Sequence, residues 1–60
     1  MHIKVEFLSN PGREPVIFAV SRVPCVDEML VTDDECFTVR VVMHLLDPKT
    51  NILAIVRVKG

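Results

Sequence analysis

The sequence has no Trp and no Tyr, only two Gly and two Cys, and no dominant sign of charge. Each scarcity excludes something. With three Phe as the only aromatics, a platform for stacking successive nucleobases cannot be assembled. Gly12 and Gly60 are too few and too far apart to form a glycine-rich phosphate cradle. Cys25 and Cys36 fall short of the four or more cysteines usual in a small secreted scaffold, so both are expected to be free, reduced thiols. Uncharged runs such as Pro15 to Ser21 stop far below the roughly 20 residues that span a bilayer. Lys4 and Glu6 interrupt any signal-peptide core, so no membrane is expected as a partner and a cytoplasmic location is. Seven Lys and Arg against eight Asp and Glu leave a net charge of −1, too balanced for a strongly basic or acidic surface.

The 60 residues bound the rest. They make a single small β domain, residues 1–60. A chain of this size buries only about 60% of the surface its unfolded form exposes. That leaves little room for a deep cleft with supporting residues, so no enzyme is expected. Disorder is excluded by a hydrophobic content of 50% with almost no net charge.

What is present is β-branched. Eleven Val, four Ile and three Thr favour pleated strands over helices. Period-2 alternation dominates. From His2 to Leu8, Ile3, Val5 and Phe7 share one face and His2, Lys4 and Glu6 the other. A turn at Asn10-Pro11-Gly12-Arg13 leads into a second strand, Glu14 to Val23, with Val16, Phe18 and Val20 opposed to Ile17, Ala19 and Ser21; the two form a hairpin. Pro24 ends it, and Cys25 to Glu28 is a connecting arc. Met29 to Thr32 is a short third strand and Asp33-Asp34 a tight turn. Glu35 to Leu46 is the longest strand, in which Phe37, Val39, Val41 and Met43 alternate with Thr38, Arg40, Val42 and His44. A turn at Asp47–Asn51 precedes the last strand, Ile52 to Lys59, with Ile52, Ala54, Val56 and Val58 opposed to Leu53, Ile55 and Arg57. The expected fold is all-β: a small five-stranded antiparallel barrel or a strongly curved sheet. One short helical turn near residues 25–30 is the alternative for the arc, although it lacks a suitable cap.

Two stretches carry a family resemblance. They are Val23-Pro24-Cys25-Val26-Asp27-Glu28-Met29-Leu30-Val31 and Phe37-Thr38-Val39-Arg40-Val41-Val42-Met43-His44-Leu45. Together they resemble a pattern in small SH3-like β-barrel proteins of bacteria and phages, many uncharacterised. The pattern is a Val-Pro, a Val two residues after the Pro, a Gly-Asp/Glu pair, a hydrophobic strand, a turn and an aromatic-x-Val-x-x-Val strand. Asp27 stands where the pattern has Gly. The resemblance implies an SH3-like barrel and brings no catalytic or binding residue with it, since such barrels host unrelated functions.

Catalytic and metal chemistry find no support in the spacing. Ser9 and Ser21 have no nucleophile elbow, and His44 and Asp47 are three apart on or beyond a strand, which points them to opposite faces. Nothing in the sequence lowers the pKa of either thiol, and the acids around them would raise it. Cys25, Cys36, His2 and His44 lack the spacing of a zinc site. The acids lack the alternate spacing and Gly of a calcium loop. No catalytic residue, metal or cofactor is expected.

Surface patterns remain. Val42, Leu46, Leu53 and Ile55 point away from a core built on Val39, Val41, Ala54 and Val56, so the two C-terminal strands are apolar on both faces. A chain this small cannot easily cover both, and burial against another chain is expected, the alternative being a tightly curled barrel whose twist hides part of the outer face. The interface is placed on Val42, His44, Leu46, Leu53 and Ile55, with a homodimer favoured. Asp27, Glu28, Asp33, Asp34 and Glu35 form an acidic patch, with no Lys or Arg between Val23 and Val39, suited to steering a basic protein partner. The alternative is a nucleic-acid-binding barrel with Lys4, Arg40 and Arg57 as a modest basic face.

Overall fold

The computed structural model describes residues 1–47 and 49–60. Five strands are present: β1 (His2–Phe7), β2 (Val16–Ala19), β3 (Met29–Val31), β4 (Cys36–His44) and β5 (Ile52–Lys59). They form one sheet in the order β2-β1-β5-β4-β3, curled into a half-barrel. Among the described residues there is no helix, so the helical alternative for 25–30 does not hold, and none could cross a membrane as a long apolar helix. The expected turn at Asp47–Asn51 contains Pro48, which lies outside the described residues.

The hairpin of β1 and β2 and the antiparallel ladders β3–β4 and β4–β5 match the expected pairing. One ladder does not: β1 pairs with β5 in parallel, Ile3 opposite Ala54 through Phe7 opposite Val58. Period-2 patterning says which face a residue takes but not which strand lies beside it. The parallel pair makes the first and last strands neighbours at the centre of the sheet. It also leaves β2 and β3 as the two outer edges.

The core lies on the concave face. Ile3, Val5 and Phe7 of β1, Phe37 and Val39 of β4, and Ala54, Val56 and Val58 of β5 are buried. Val20, Val23, Leu30 and Val42 pack against them in part, and Pro24 of the arc is buried. All four residues of β2 are exposed although each is apolar.

The face assignment inverts halfway along β4. Val39 lies opposite Val58, but the next pair is Val41 opposite Arg57, so Arg40 is an extra residue in a β-bulge. Beyond it Val42 falls opposite the buried Val56 and Met43 opposite Ile55. Val42 therefore turns toward the core, and Val41 and Met43 turn outward with Leu53 and Ile55. This corrects the expectation that Val42 is an outward interface residue: strict alternation fails wherever one residue is inserted. A second irregularity separates His2–Ile52 from Ile3–Ala54. Both increase local bend and twist, which helps a single sheet curl over its own core.

The arc between β2 and β3 turns at Cys25–Glu28, where the Glu28 N–H donates to the Cys25 carbonyl at 3.1 Å. Asp27 at the third position has φ of 74°, the left-handed geometry that a type II turn requires there. The Asp27 N–H donates to the Val39 carbonyl, and the Val39 N–H to the Glu28 carbonyl, both at 2.8 Å. Two residues thus oppose one, as in a bulge whose first position favours Gly. Asp fills that position because its short side chain tolerates the left-handed region. Gly12, by contrast, makes no use of positive φ; the Asn10–Arg13 turn closes through an Arg13 N–H to Asn10 carbonyl bond at 3.0 Å.

Two expectations follow. Asp27→Gly should change stability by less than about 0.5 kcal/mol, strain relief offsetting greater unfolded-state freedom, whereas Asp27→Val should lose about 1–2 kcal/mol in urea unfolding. The inverted alternation predicts that Val42→Lys costs on the order of 2 kcal/mol or more, while Val41→Lys stays within about 0.5 kcal/mol. Equal costs at the two positions would contradict the bulge.

Candidate functional site

Curling a five-stranded sheet brings β2 and β3 toward each other without joining them. Between them lies an apolar groove of about 230 Å³. Its floor is Ile3, Val5, Phe7 and Phe37; its walls are Phe18 and Ala19 on one side and Met29 to Thr32 on the other. Small-molecule sites run to roughly 300–1,000 Å³. The groove is smaller than that and has the scale of inserted side chains. Its rims are exposed: Phe18 at 37%, Met29 at 61% and Val31 at 73%.

One end of the half-barrel is closed by Arg13. Its guanidinium lies 3.9 Å from the centroid of the Phe7 ring and 5.6 Å from that of Phe37, and the two rings are 5.2 Å apart and tilted by 55°. The same guanidinium donates two hydrogen bonds to the Glu35 carboxylate, at 2.7 and 2.9 Å. A cation over aromatic faces and a bidentate carboxylate pair both favour arginine over lysine here. The contact joins the β1–β2 loop to the β3–β4 turn across the gap. On the arc, Arg22 forms a similar fork with Glu28, whose carboxylate also accepts the Cys25 N–H.

These pairs redraw the acidic patch. The Arg22 hydrogen bonds, aided by the Cys25 amide, hold the Glu28 carboxyl down at about 2, and the Arg13 hydrogen bond keeps Glu35 below the usual carboxylate range. Of the five expected patch residues, Glu35 is thus neutralised by an arginine from a distant loop and Glu28 by one from its own arc. Asp27, Asp33 and Asp34 have no ion-pair partner among the described residues. Glu14, next to Arg13, is likewise unpaired and joins Asp33 and Asp34 at that end.

The strands bring the three expected basic residues together, but around an acid. The Arg57 Nε donates to Glu6 at 2.8 Å, and Glu6 and Arg57 are opposed in the β1–β5 ladder. Lys4 lies two pairs along, opposite Ile55, and Arg40 occupies the bulge beside the Val41–Arg57 pair. Glu6 therefore sits among the three basic residues. The expected interface set is also divided. Val42 faces the core, His44 is exposed at the end of β4 opposite Ala54, and Leu46 is 94% exposed beyond that strand. Leu53 and Ile55 do lie on the outer face, where Val41 and Met43 extend an apolar band; Lys4 separates it from Ile17 of β2. Cys25 and Cys36 are both free and exposed. Among the described residues no three His, Cys, Asp or Glu side chains gather as a metal site requires.

The apolar rims and Arg13 were not singled out from sequence. The signal for the rims was the uncharged run Pro15 to Ser21, which places no charge within β2. Little local marks Arg13: Phe7 is six residues away across the turn, but Glu35 and Phe37 lie 22 and more residues away.

The depressed carboxyls set an acid limb. A carboxyl whose pKa falls on folding stabilises the fold above its ordinary value of 4.5, and that contribution disappears as pH drops toward about 2. Stability should therefore decline across this window, and Glu28→Gln should flatten the decline while lowering stability at pH 7. Thermal unfolding from pH 7 to pH 2 checks both.

No family model matches the chain, no curated protein matches it, and no solved structure matches it.

Proposed function

We propose that the chain is a small non-enzymatic protein-interaction module that self-associates and binds a protein partner. The observation that carries this reading is apolar exposure on both sides of one curled sheet. The outer face presents Val41 and Leu53, with Met43 and Ile55 half-buried among them; the open side presents Phe18, Met29 and Val31. Exposed apolar patches rimmed by polar residues are characteristic of surfaces that meet other chains. A 60-residue sheet has no second layer with which to cover them. The outer band, centred on the two longest strands, suits a second copy of the chain in an isologous dimer. The open side suits a different protein.

The nucleic-acid reading receives less support. Its three basic residues surround Glu6, and Arg57 already spends its charge there. Phosphate neutralisation needs free cations on a common face.

Sedimentation equilibrium tests the self-association. The native chain is expected to form a dimer in the micromolar range, with Leu53→Asp weakening it about tenfold or more, as loss of a central apolar contact does. A monomer at millimolar concentration, indifferent to that substitution, would remove self-association from the reading.

A further inference from the structure

The gap between β2 and β3 has a backbone character as well as an apolar one. Mutual bonds between Met1 and Val20 set the alternation along β2: the Val20 N–H donates to the Met1 carbonyl, and the Met1 amine to the Val20 carbonyl. Val16 and Phe18 therefore face β1, and the N–H and C=O groups of Ile17 and Ala19 point away from it. On β3, the Val39 N–H to Glu28 carbonyl bond and the Thr32 N–H to Glu35 carbonyl bond direct Leu30 toward β4. Met29 and Val31 point their backbone groups outward. Both edges are thus unpaired, and they lie on either side of one apolar groove. Natural edges are usually blunted by Lys, Pro or a bulge. Val16–Ala19 and Met29–Val31 are short, and Pro15 and the Asp27–Glu28 bulge precede them, but neither strand contains such a residue within it.

We propose that this gap accepts a β-strand from a partner protein. This deepens the interaction-module reading and rests on it. The accepted segment is extended, apolar at alternate positions, and carries Lys or Arg at one end. The short edges match a segment of about five residues, whose inward side chains fill the groove while its backbone pairs with β2, β3 or both. The charge requirement comes from the rim. The Arg13–Glu35 pair brings together the loop bearing Glu14 and the turn bearing Asp33 and Asp34, and the cation of Arg13 is already committed to Glu35. Three acids without ion-pair partners among the described residues therefore stand at one end of the groove.

The same acids disfavour a second copy in this position. β2 and β3 run in opposite directions, as the successive ladders dictate. Joining β2 of one copy to β3 of another in an antiparallel ladder sets like ends together. Glu14 would then meet the acids of the other copy's β3–β4 turn. A cationic foreign strand meets no such repulsion.

The probe is a synthetic octapeptide, Lys-Lys followed by three Val-Thr repeats, titrated into isotopically labelled protein with amide exchange read by NMR. Binding is expected to slow exchange of the Ile17, Ala19, Met29 and Val31 amides on at least one edge. The same peptide with Glu in place of both Lys should bind about tenfold more weakly. Methylating alternate peptide nitrogens should abolish the protection on one edge, a control that leaves the protein unaltered. Ile17→Pro should remove the β2 contribution, because only an outward N–H is lost. Absence of protection at millimolar peptide, or equal binding of the Glu peptide, overturns the proposal. So does protection that appears without peptide and grows with protein concentration, which would assign the groove to a second copy. Sedimentation of the unliganded chain separates these failures from failure of the broader reading: a dimer weakened by Leu53→Asp leaves the interaction module standing when the strand site falls.

Discussion

A single sheet has to serve as its own second layer, and most of this structure answers to that constraint. The described residues supply five strands and no helix to lay across them. Eight buried side chains, drawn only from β1, β4 and β5, make the core. The sheet can cover them only by curling, and curling concentrates burial in its centre. The edges are the remainder: β2 and β3 reach round the core without closing over it. Val20, Val23, Pro24 and Leu30 seal the side of the arc, and Arg13 seals the aromatic end.

The curl has local causes that agree with one another. The extra residue at Arg40 bends the longest strand where β4 crosses β5. A second irregularity bends the start of the β1–β5 ladder. The bulge at Asp27–Glu28 swings the arc back onto Val39. Each is a place where the chain gives up regular pairing, and together they shape a concave surface. Ion pairs act on this frame from outside. Arg13–Glu35 and Arg22–Glu28 are exposed and contribute modestly; the first links two loops that the sheet itself leaves unconnected, and the second braces the β2–β3 arc.

Much of the fold was legible in the sequence because strands announce themselves through alternation. Ile3, Val5 and Phe7, then Ala54, Val56 and Val58, are assigned to the core by period alone, and all six are buried. Pro11-Gly12 and Asp33-Asp34 mark their turns through backbone preference. Non-local features were not legible. The parallel pairing of β1 with β5 depends on the whole curled sheet rather than on either strand. The bulge at Arg40 has no local mark, so Val42 was assigned outward and Val41 inward, the reverse of their places. The surface was less legible: the five acids flank the two ends of β3, Glu28 pairs within its own arc, and the arginine that pairs with Glu35 comes from a loop 22 residues away. Val16 to Ala19 looks from its pattern like a half-buried strand, and only its place at the edge leaves it exposed.

The parallel neighbours at the centre also govern how the domain bears load. His2 pairs beside Ile52 and Phe7 beside Val58, so β1 and β5 enter the sheet at one end and leave it at the other. A pull applied through the start of β1 and the end of β5 runs along the strands in opposite directions. It slides one past the other, loading the rungs of the ladder together rather than peeling them one by one. The same geometry sends a fused neighbour before β1 and one after β5 to opposite poles of the half-barrel. In a tandem array the open groove would then lie along the flank of the string, clear of both junctions.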